Sequence, residues 1–287
     1  MDNTLFLKDG RTLGYADYGD LHGKPVFFFH GIPGSRIYRP YDGITTKMGV
    51  RLITTDRPGY GLSDFQPGRR YLDWPADLVQ LADALGIQKF AVAGHSGGAP
   101  FVAACAYALP ERVTTAAILS GAGPVDAPGA LEGMRGLNRA GFVFGRYIPW
   151  SLWRVLIWLF FRKGREDPAS VFERGAKSRP ASDVDVFHRP EVLEVCYASG
   201  AEGFRNGTRG YAWETRLLVR PWGFRLEDIR IPVYLWHGTK DHETPVSMAR
   251  YVAGKIPNSR LIVCENEGHS LLFPHWEEIL AQLISSE

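Results

Sequence analysis

Ser96 stands in Gly94-His95-Ser96-Gly97-Gly98, after the apolar run Phe90-Ala91-Val92-Ala93 and before the small-residue run Ala99-Pro100-Phe101-Val102-Ala103-Ala104. The pattern is G-x-S-x-G at the junction of an expected strand and an expected helix. Glycines around the serine let the backbone turn more sharply than side chains allow, so the hydroxyl can project from the end of a sheet as the helix begins. A hydroxyl presented in this way is placed to attack an acyl carbon.

Such a nucleophile needs a base. His269, in Glu267-Gly268-His269-Ser270, follows the strand-like run Arg260-Leu261-Ile262-Val263-Cys264. An imidazole on a strand-end loop can take the serine proton and pass it to the leaving group. The other histidines fit less well. His22, His188 and His275 fall in polar loops or near helix starts, His95 is the variable residue of the serine turn, and His30, His237 and His242 belong to other strand-end motifs. Orienting the imidazole calls for a carboxylate. Asp241 lies just past the strand-like run Val233-Tyr234-Leu235-Trp236-His237, with Asp126 and Glu243 as alternatives. An oxyanion would be held by two backbone N–H groups, one from Gly97 and one from the loop after Pro25-Val26-Phe27-Phe28-Phe29. Pro33 has no N–H, so the second donor is expected at Ile32 in His30-Gly31-Ile32-Pro33-Gly34-Ser35.

The chain resembles α/β-hydrolase-fold enzymes of the branch that carries an H-G-x-P loop and a D-R-P-G-x-G-x-S segment. Here these are His30-Gly31-Ile32-Pro33 and Asp56-Arg57-Pro58-Gly59-Tyr60-Gly61-Leu62-Ser63. The resemblance covers residues 5 to 122 and 225 to 287, with Ser96, Asp241 and His269 in the family's order of nucleophile, acid and base. It implies an α/β fold with a mostly parallel eight-stranded sheet, helices on both faces and a helical cap inserted after strand 6. Members that open epoxides or displace halide use a carboxylate nucleophile. Ser96 sets those chemistries aside.

The elements that would position these residues follow from periodicity. Leu5-Phe6-Leu7 and Thr12-Leu13-Gly14-Tyr15 flank Asp9-Gly10 as a hairpin, and strands are predicted at 25–29, 51–55, 89–94, 113–119, 232–237 and 260–264. Trp74-Pro75 opens a helix whose stripe is Leu78, Leu81 and Leu85, and Gly86 ends it. The expected division is a first core segment at 1–121, a cap at 122–225 and a second core segment at 226–287. Segment 147–161 is the most apolar of the chain, but at about 15 residues it falls short of the ~20 needed to span a bilayer. It is expected to line a pocket or to pack on the core, with contact to a lipid surface as the other reading. Trp150, Trp153 and Ile157 form one stripe, and Trp158 and Phe161 another. Pocket candidates are His30, His95, Trp150, Trp153 and Trp158. Trp213, Glu214 and Arg216 could face the site or pack, and the polar segment 162–183 reads as a solvated connection.

Composition excludes several classes. The formal net charge of +2 over 287 residues gives no footprint for nucleic acid or an anionic membrane. Three widely spaced cysteines, Cys105, Cys196 and Cys264, show no metal-ligand pattern and read as free thiols in a reducing compartment. No basic, apolar leader follows Met1, so the expectation is a cytoplasmic protein. No cofactor or metal is implied, and no stable membrane insertion is expected. The expected activity is a serine hydrolase that cleaves a carboxylic ester or related acyl bond of a small, largely apolar substrate through an acyl-enzyme. A small-peptide amidase or aminopeptidase, or a carbon–carbon bond hydrolase, would use the same groups; a small-ligand receptor with slow turnover is the alternative of another class. The oligomeric state is not legible.

Overall fold

The apolar runs of the central strands are continuous because both faces of the sheet are covered, so successive side chains enter two different cores. Phe27, Phe29, Val92, Ile118 and Leu235 enter one, while Val26, Phe28, Ala93, Leu119 and Trp236 enter the other. Phe27, Phe28 and Phe29 are all fully buried, each worth roughly 1.5–3 kcal/mol in apolar transfer.

The computed structural model describes residues 2–134, 136–166 and 179–285. Strands β1 (Asp2–Phe6), β2 (Thr12–Gly19) and β3 (Lys24–Phe29) lead to helix α1 (Asp42–Lys47), then β4 (Val50–Thr55) and α2 (Trp74–Ala84). β5 (Phe90–His95), α3 (Ala99–Ala108) and β6 (Val113–Leu119) follow. The chain then runs through α4 (Gly136–Phe144), α5 (Trp150–Glu166), α6 (Ala181–Phe187), α7 (Pro190–Gly203) and α8 (Arg209–Leu218). It returns to the sheet with β7 (Val233–Gly238), α9 (Val246–Lys255), β8 (Ser259–Cys264) and α10 (Trp276–Ile284).

The sheet order is β1-β2-β4-β3-β5-β6-β7-β8. β1 and β2 form the antiparallel edge, and every pairing from β4 to β8 is parallel. In a parallel sheet all carboxyl ends open on one side, where loops from several strands converge. Here these are the loops after β3, β5, β7 and β8. α2 and α3 cover one face with Leu78, Leu81, Phe101 and Val102; α10 covers the other with Trp276, Ile279, Leu280 and Leu283. The strand expectations for β3 to β8 agree with the observed bounds to within one residue, while the opening hairpin strands, Asp2–Phe6 and Thr12–Gly19, differ from their expected bounds by up to three and four residues. The polar connection expected at 162–183 lies largely outside the described residues, between the end of α5 and the start of α6. Among the described residues, no helix is long and apolar enough to cross a membrane.

Candidate active site

β5 runs directly into a single 3-10 turn at Ser96–Gly98 and then α3. Ser96 has φ 53°, in the left-handed region, a conformation that costs a non-glycine residue about 1–3 kcal/mol. The turn tolerates no side chain beside it: a Cβ on Gly98 would lie 2.5 Å from Phe29 O, and one on Gly97 2.8 Å from Ile32 Cγ1. Ser96 O accepts the Ala122 N–H at 3.0 Å, which ties the turn to the end of β6. Ser96 Oγ makes no hydrogen bond among the described residues.

His269 Nδ1 donates to Asp241 Oδ2 at 2.7 Å. Asp241 is held in turn by the backbone N–H groups of Glu243 at 2.9 Å and Thr244 at 3.0 Å, and by Thr244 Oγ1 at 3.0 Å. Burial alone would raise the Asp241 pKa, but the His269 and His237 rings and these hydrogen bonds bring it to about 2. With Nδ1–H given to Asp241, the lone pair of His269 is on Nε2. Burial disfavours a charged His269 ring, yet the Asp241 and Glu243 carboxylates outweigh it and raise its pKa above the ordinary histidine value. The two acids divide the ring: Glu243 Oε2 lies 3.7 Å from Nε2. Asp126 is exposed and lines a separate surface depression with Pro124, Trp222 and Tyr251.

The ring of His95 lies against that of His269, with centroids 4.7 Å apart. Its Nε2 is 3.0 Å from His269 O and its Nδ1 is 3.1 Å from Tyr38 Oη. The carbonyl can only accept, so Nε2 carries the proton and Nδ1 accepts from Tyr38. Burial, followed by the neighbouring His269, pushes His95 down to about 3. It is a neutral spacer under the His269 loop and has no free nitrogen with which to act as a base.

The loop after β3 is braced from below. Arg57 Nη1 donates to His30 O at 2.6 Å and Nη2 to Gly31 O at 3.3 Å. Its remaining donors form a bidentate pair with Glu214 of α8, both contacts 2.8 Å. Arg69 adds a third contact to Glu214 at 2.8 Å, and all three side chains are buried. The Ile32 N–H donates to no group among the described residues, and Gly97 N–H lies in the first turn of its helix, where amides lack an intrahelical acceptor. Ile32, Ser96 and Gly97 line one cavity. Glu214→Ala is expected to cost ~3–5 kcal/mol of stability, because two buried guanidinium groups lose their counter-charge. A urea midpoint shifted by the equivalent of less than ~1 kcal/mol would mean that the arginines find other partners.

Two cavities meet at Ser96. The first, about 370 Å³, is lined by Gly31, Ile32, Tyr38, His95, Arg179 and His269, among others. The second, about 520 Å³, is walled by Phe142, Ile148, Trp153, Ile157 and Leu218 and also reaches Gly97. Three of the expected pocket residues lie elsewhere. His30, the first residue after β3, is buried against Tyr60 with its Nδ1 2.6 Å from Gly31 O. Trp150 packs edge-on against Trp213, with centroids 5.0 Å apart. Trp158 faces outward and lines a shallow depression with Arg154 and Arg209. Of the two stripes, Trp153 and Ile157 line the larger cavity, and Phe161 borders both cavities. Trp213 donates to Arg69 O at 2.9 Å and packs rather than facing a cavity.

Sequence reasoning missed Asp183. This α6 residue accepts the backbone N–H of His269 at 3.0 Å and of Ser270 at 2.8 Å, fixing the loop on which the imidazole sits. It also missed Tyr38, and it offered Glu243 as an alternative acid for orienting the imidazole, whereas Glu243 lies on the Nε2 side, 3.7 Å away. Behind the same loop, donor atoms of Cys264, Glu267 and His275 lie within 4.8 Å of one another. His275 is already held there by Glu267 at 2.8 Å and Glu278 at 2.6 Å. Cys264 and these carboxylates raise it to about 10, so a cation would have to displace a firmly held proton.

The profile of the Alpha/beta hydrolase family matches residues 26–282, and the chain belongs to that family. Among its relatives is a non-heme chloroperoxidase of Streptomyces lividans, 36% identical over 131 residues, a stretch covering 42% of this chain and 45% of that protein. The chain therefore spans under half the length of that curated relative. The AB hydrolase superfamily protein YisY of Bacillus subtilis is 27% identical over 281 residues, 93% of this chain and 92% of that one. The esterase EaEST from Exiguobacterium antarcticum superposes with a TM-score of 0.71 at 21% identity, covering 99% of this chain and 98% of the other. At that identity the likeness is one of fold.

Proposed function

We propose that the protein is a serine hydrolase that cleaves a carboxylic ester or related acyl bond of a small, largely apolar molecule through an acyl-enzyme. The observation that carries this is the 2.7 Å contact from His269 Nδ1 to Asp241, which leaves Nε2 as the lone-pair nitrogen of a ring lining the same cavity as Ser96. Ser96 Oγ attacks the acyl carbon while Nε2 takes its proton. The amides of Ile32 and Gly97 hold the oxyanion. Nε2 then protonates the leaving group, and a water activated by the same nitrogen releases the acid. Residues 122–225 act as a cap over this centre, and the setting is cytoplasmic.

Labelling with a fluorophosphonate tests the nucleophile, and an adduct mapped to any residue other than Ser96 would overturn the reading. p-Nitrophenyl esters assayed beside aminoacyl anilides decide the bond, and a preference for the anilides would replace esterase by amidase. The pH profile has a predicted sign. His269 must be neutral to accept a proton, and its pKa is raised by Asp241 and Glu243, so kcat/KM should climb with pH through a limb above the ordinary histidine value of ~6.5. In Glu243→Gln one raising charge is gone, and the limb should move to lower pH. A limb that stays in place would show that Glu243 has no hold on Nε2.

A further inference from the structure

Resting on the serine-hydrolase reading, a second question is which half of the substrate each cavity takes. The cavities share Ile32, Ser96, Phe161 and Glu243 and diverge from there. Only the smaller is lined by His269. Beside Phe161, Phe187 and Phe204, its walls carry the polar groups Tyr38, His95, Arg179, Tyr197 and Ser199. The larger is walled mainly by hydrocarbon, with Phe142, Phe144, Ile148, Trp153, Leu156 and Ile157 typical of it and Tyr211, Thr215 and Thr244 as polar groups that the smaller lacks.

The reaction fixes the direction. When the tetrahedral intermediate collapses, the bond from the acyl carbon to the leaving oxygen breaks and that oxygen takes the proton held on Nε2. The leaving group must therefore lie on the side of His269, and the acyl chain extends away from it. We infer that the protein's substrates join a bulky apolar acyl group, seated in the larger cavity, to a small polar alcohol, seated in the smaller one. Glu243 borders both cavities, so the polar side chains particular to the alcohol side include Tyr38, Arg179, Tyr197 and Ser199. Each methylene added to the acyl chain should raise kcat/KM by up to ~4-fold until the larger cavity is full.

Two glycines allow the halves to be tested separately. Gly141 of α4 lines only the larger cavity and Gly200 of α7 only the smaller. A Cβ built on either meets no atom within 4 Å. Leucine also favours a helix over glycine, so both substitutions suit their backbone. The readouts are two ratios of kcat/KM: p-nitrophenyl hexanoate over acetate for the acyl side, and the glycerol over the benzyl monoester of hexanoic acid for the alcohol side. The wild type should favour hexanoate and glycerol. Gly141→Leu should lower the acyl ratio by about tenfold and move the alcohol ratio less, and Gly200→Leu should do the converse. If leucine is not accommodated at either position, as read by the melting temperature, alanine there should shift the same ratio in the same direction. A reversed pattern, or ratios that move in neither variant of an enzyme labelled at Ser96, overturns the assignment of the halves. A wild type that the fluorophosphonate does not modify at Ser96 sinks the underlying serine-hydrolase reading instead.

Discussion

Ser96→Ala should lower kcat/KM toward a p-nitrophenyl ester by at least ~10³-fold while leaving the fold intact. Alanine keeps the Cβ that already occupies the left-handed backbone at this position, and Ser96 Oγ has no hydrogen bond among the described residues to lose. The neighbours that enforce the turn are the Phe29 carbonyl at Gly98 and the Ile32 side chain at Gly97, which the substitution does not touch. The variant should therefore unfold at nearly the wild-type temperature. What remains is the residual rate from the amides of Ile32 and Gly97 and from binding alone. A variant that retains more than about a tenth of the activity would mean that another group attacks the acyl carbon.

Asp241→Asn should cost about 10⁴-fold in kcat, and the argument is one of tautomers. Asp241 Oδ1 accepts the amides of Glu243 and Thr244. An asparagine carbonyl would take that place and turn its NH₂ toward His269 Nδ1. Nδ1 would then have to accept, the ring proton would move to Nε2, and Nε2 could no longer serve as the base proposed for Ser96. Asp126→Asn should change kcat by less than about twofold, because Asp126 is exposed and lines a depression that His269 does not line. The reverse ranking would place the orienting acid after β6 and remove Asp241 from the reaction.

The parts that were legible are those fixed by local constraints. Five parallel pairings follow from apolar runs that are continuous because both faces are buried, and the serine turn follows from glycines that admit no Cβ. Strand-end position was enough to point to Ile32, Gly97 and His269, which line cavities that Ser96 also lines, and to Asp241, which holds His269. The parts that were not legible depend on partners far apart in the chain. Asp183 and His269 are separated by 86 residues, and Arg57 and Glu214 by 157. An acidic residue in a polar stretch carries no mark of either role. Helical periodicity had a different limit in α5. It groups Trp153 with Ile157, but Leu152, Val155, Trp158, Leu159 and Phe160 are all exposed, so polarity gives no inward direction.

The carboxylates of Asp183 and Glu214 make the stretch between β6 and β7 something other than an interchangeable module. One clamps the backbone of the imidazole loop from α6, and the other neutralises two arginines under the loop after β3 from α8. Grafting the corresponding stretch of a relative onto this core would transplant specificity only if the donor also brings an acid to each of those two places. A graft that lacks them inherits the walls of a new cavity together with a loosened imidazole loop and two stranded cations. Recombination within the family is thus constrained at two positions that touch no substrate.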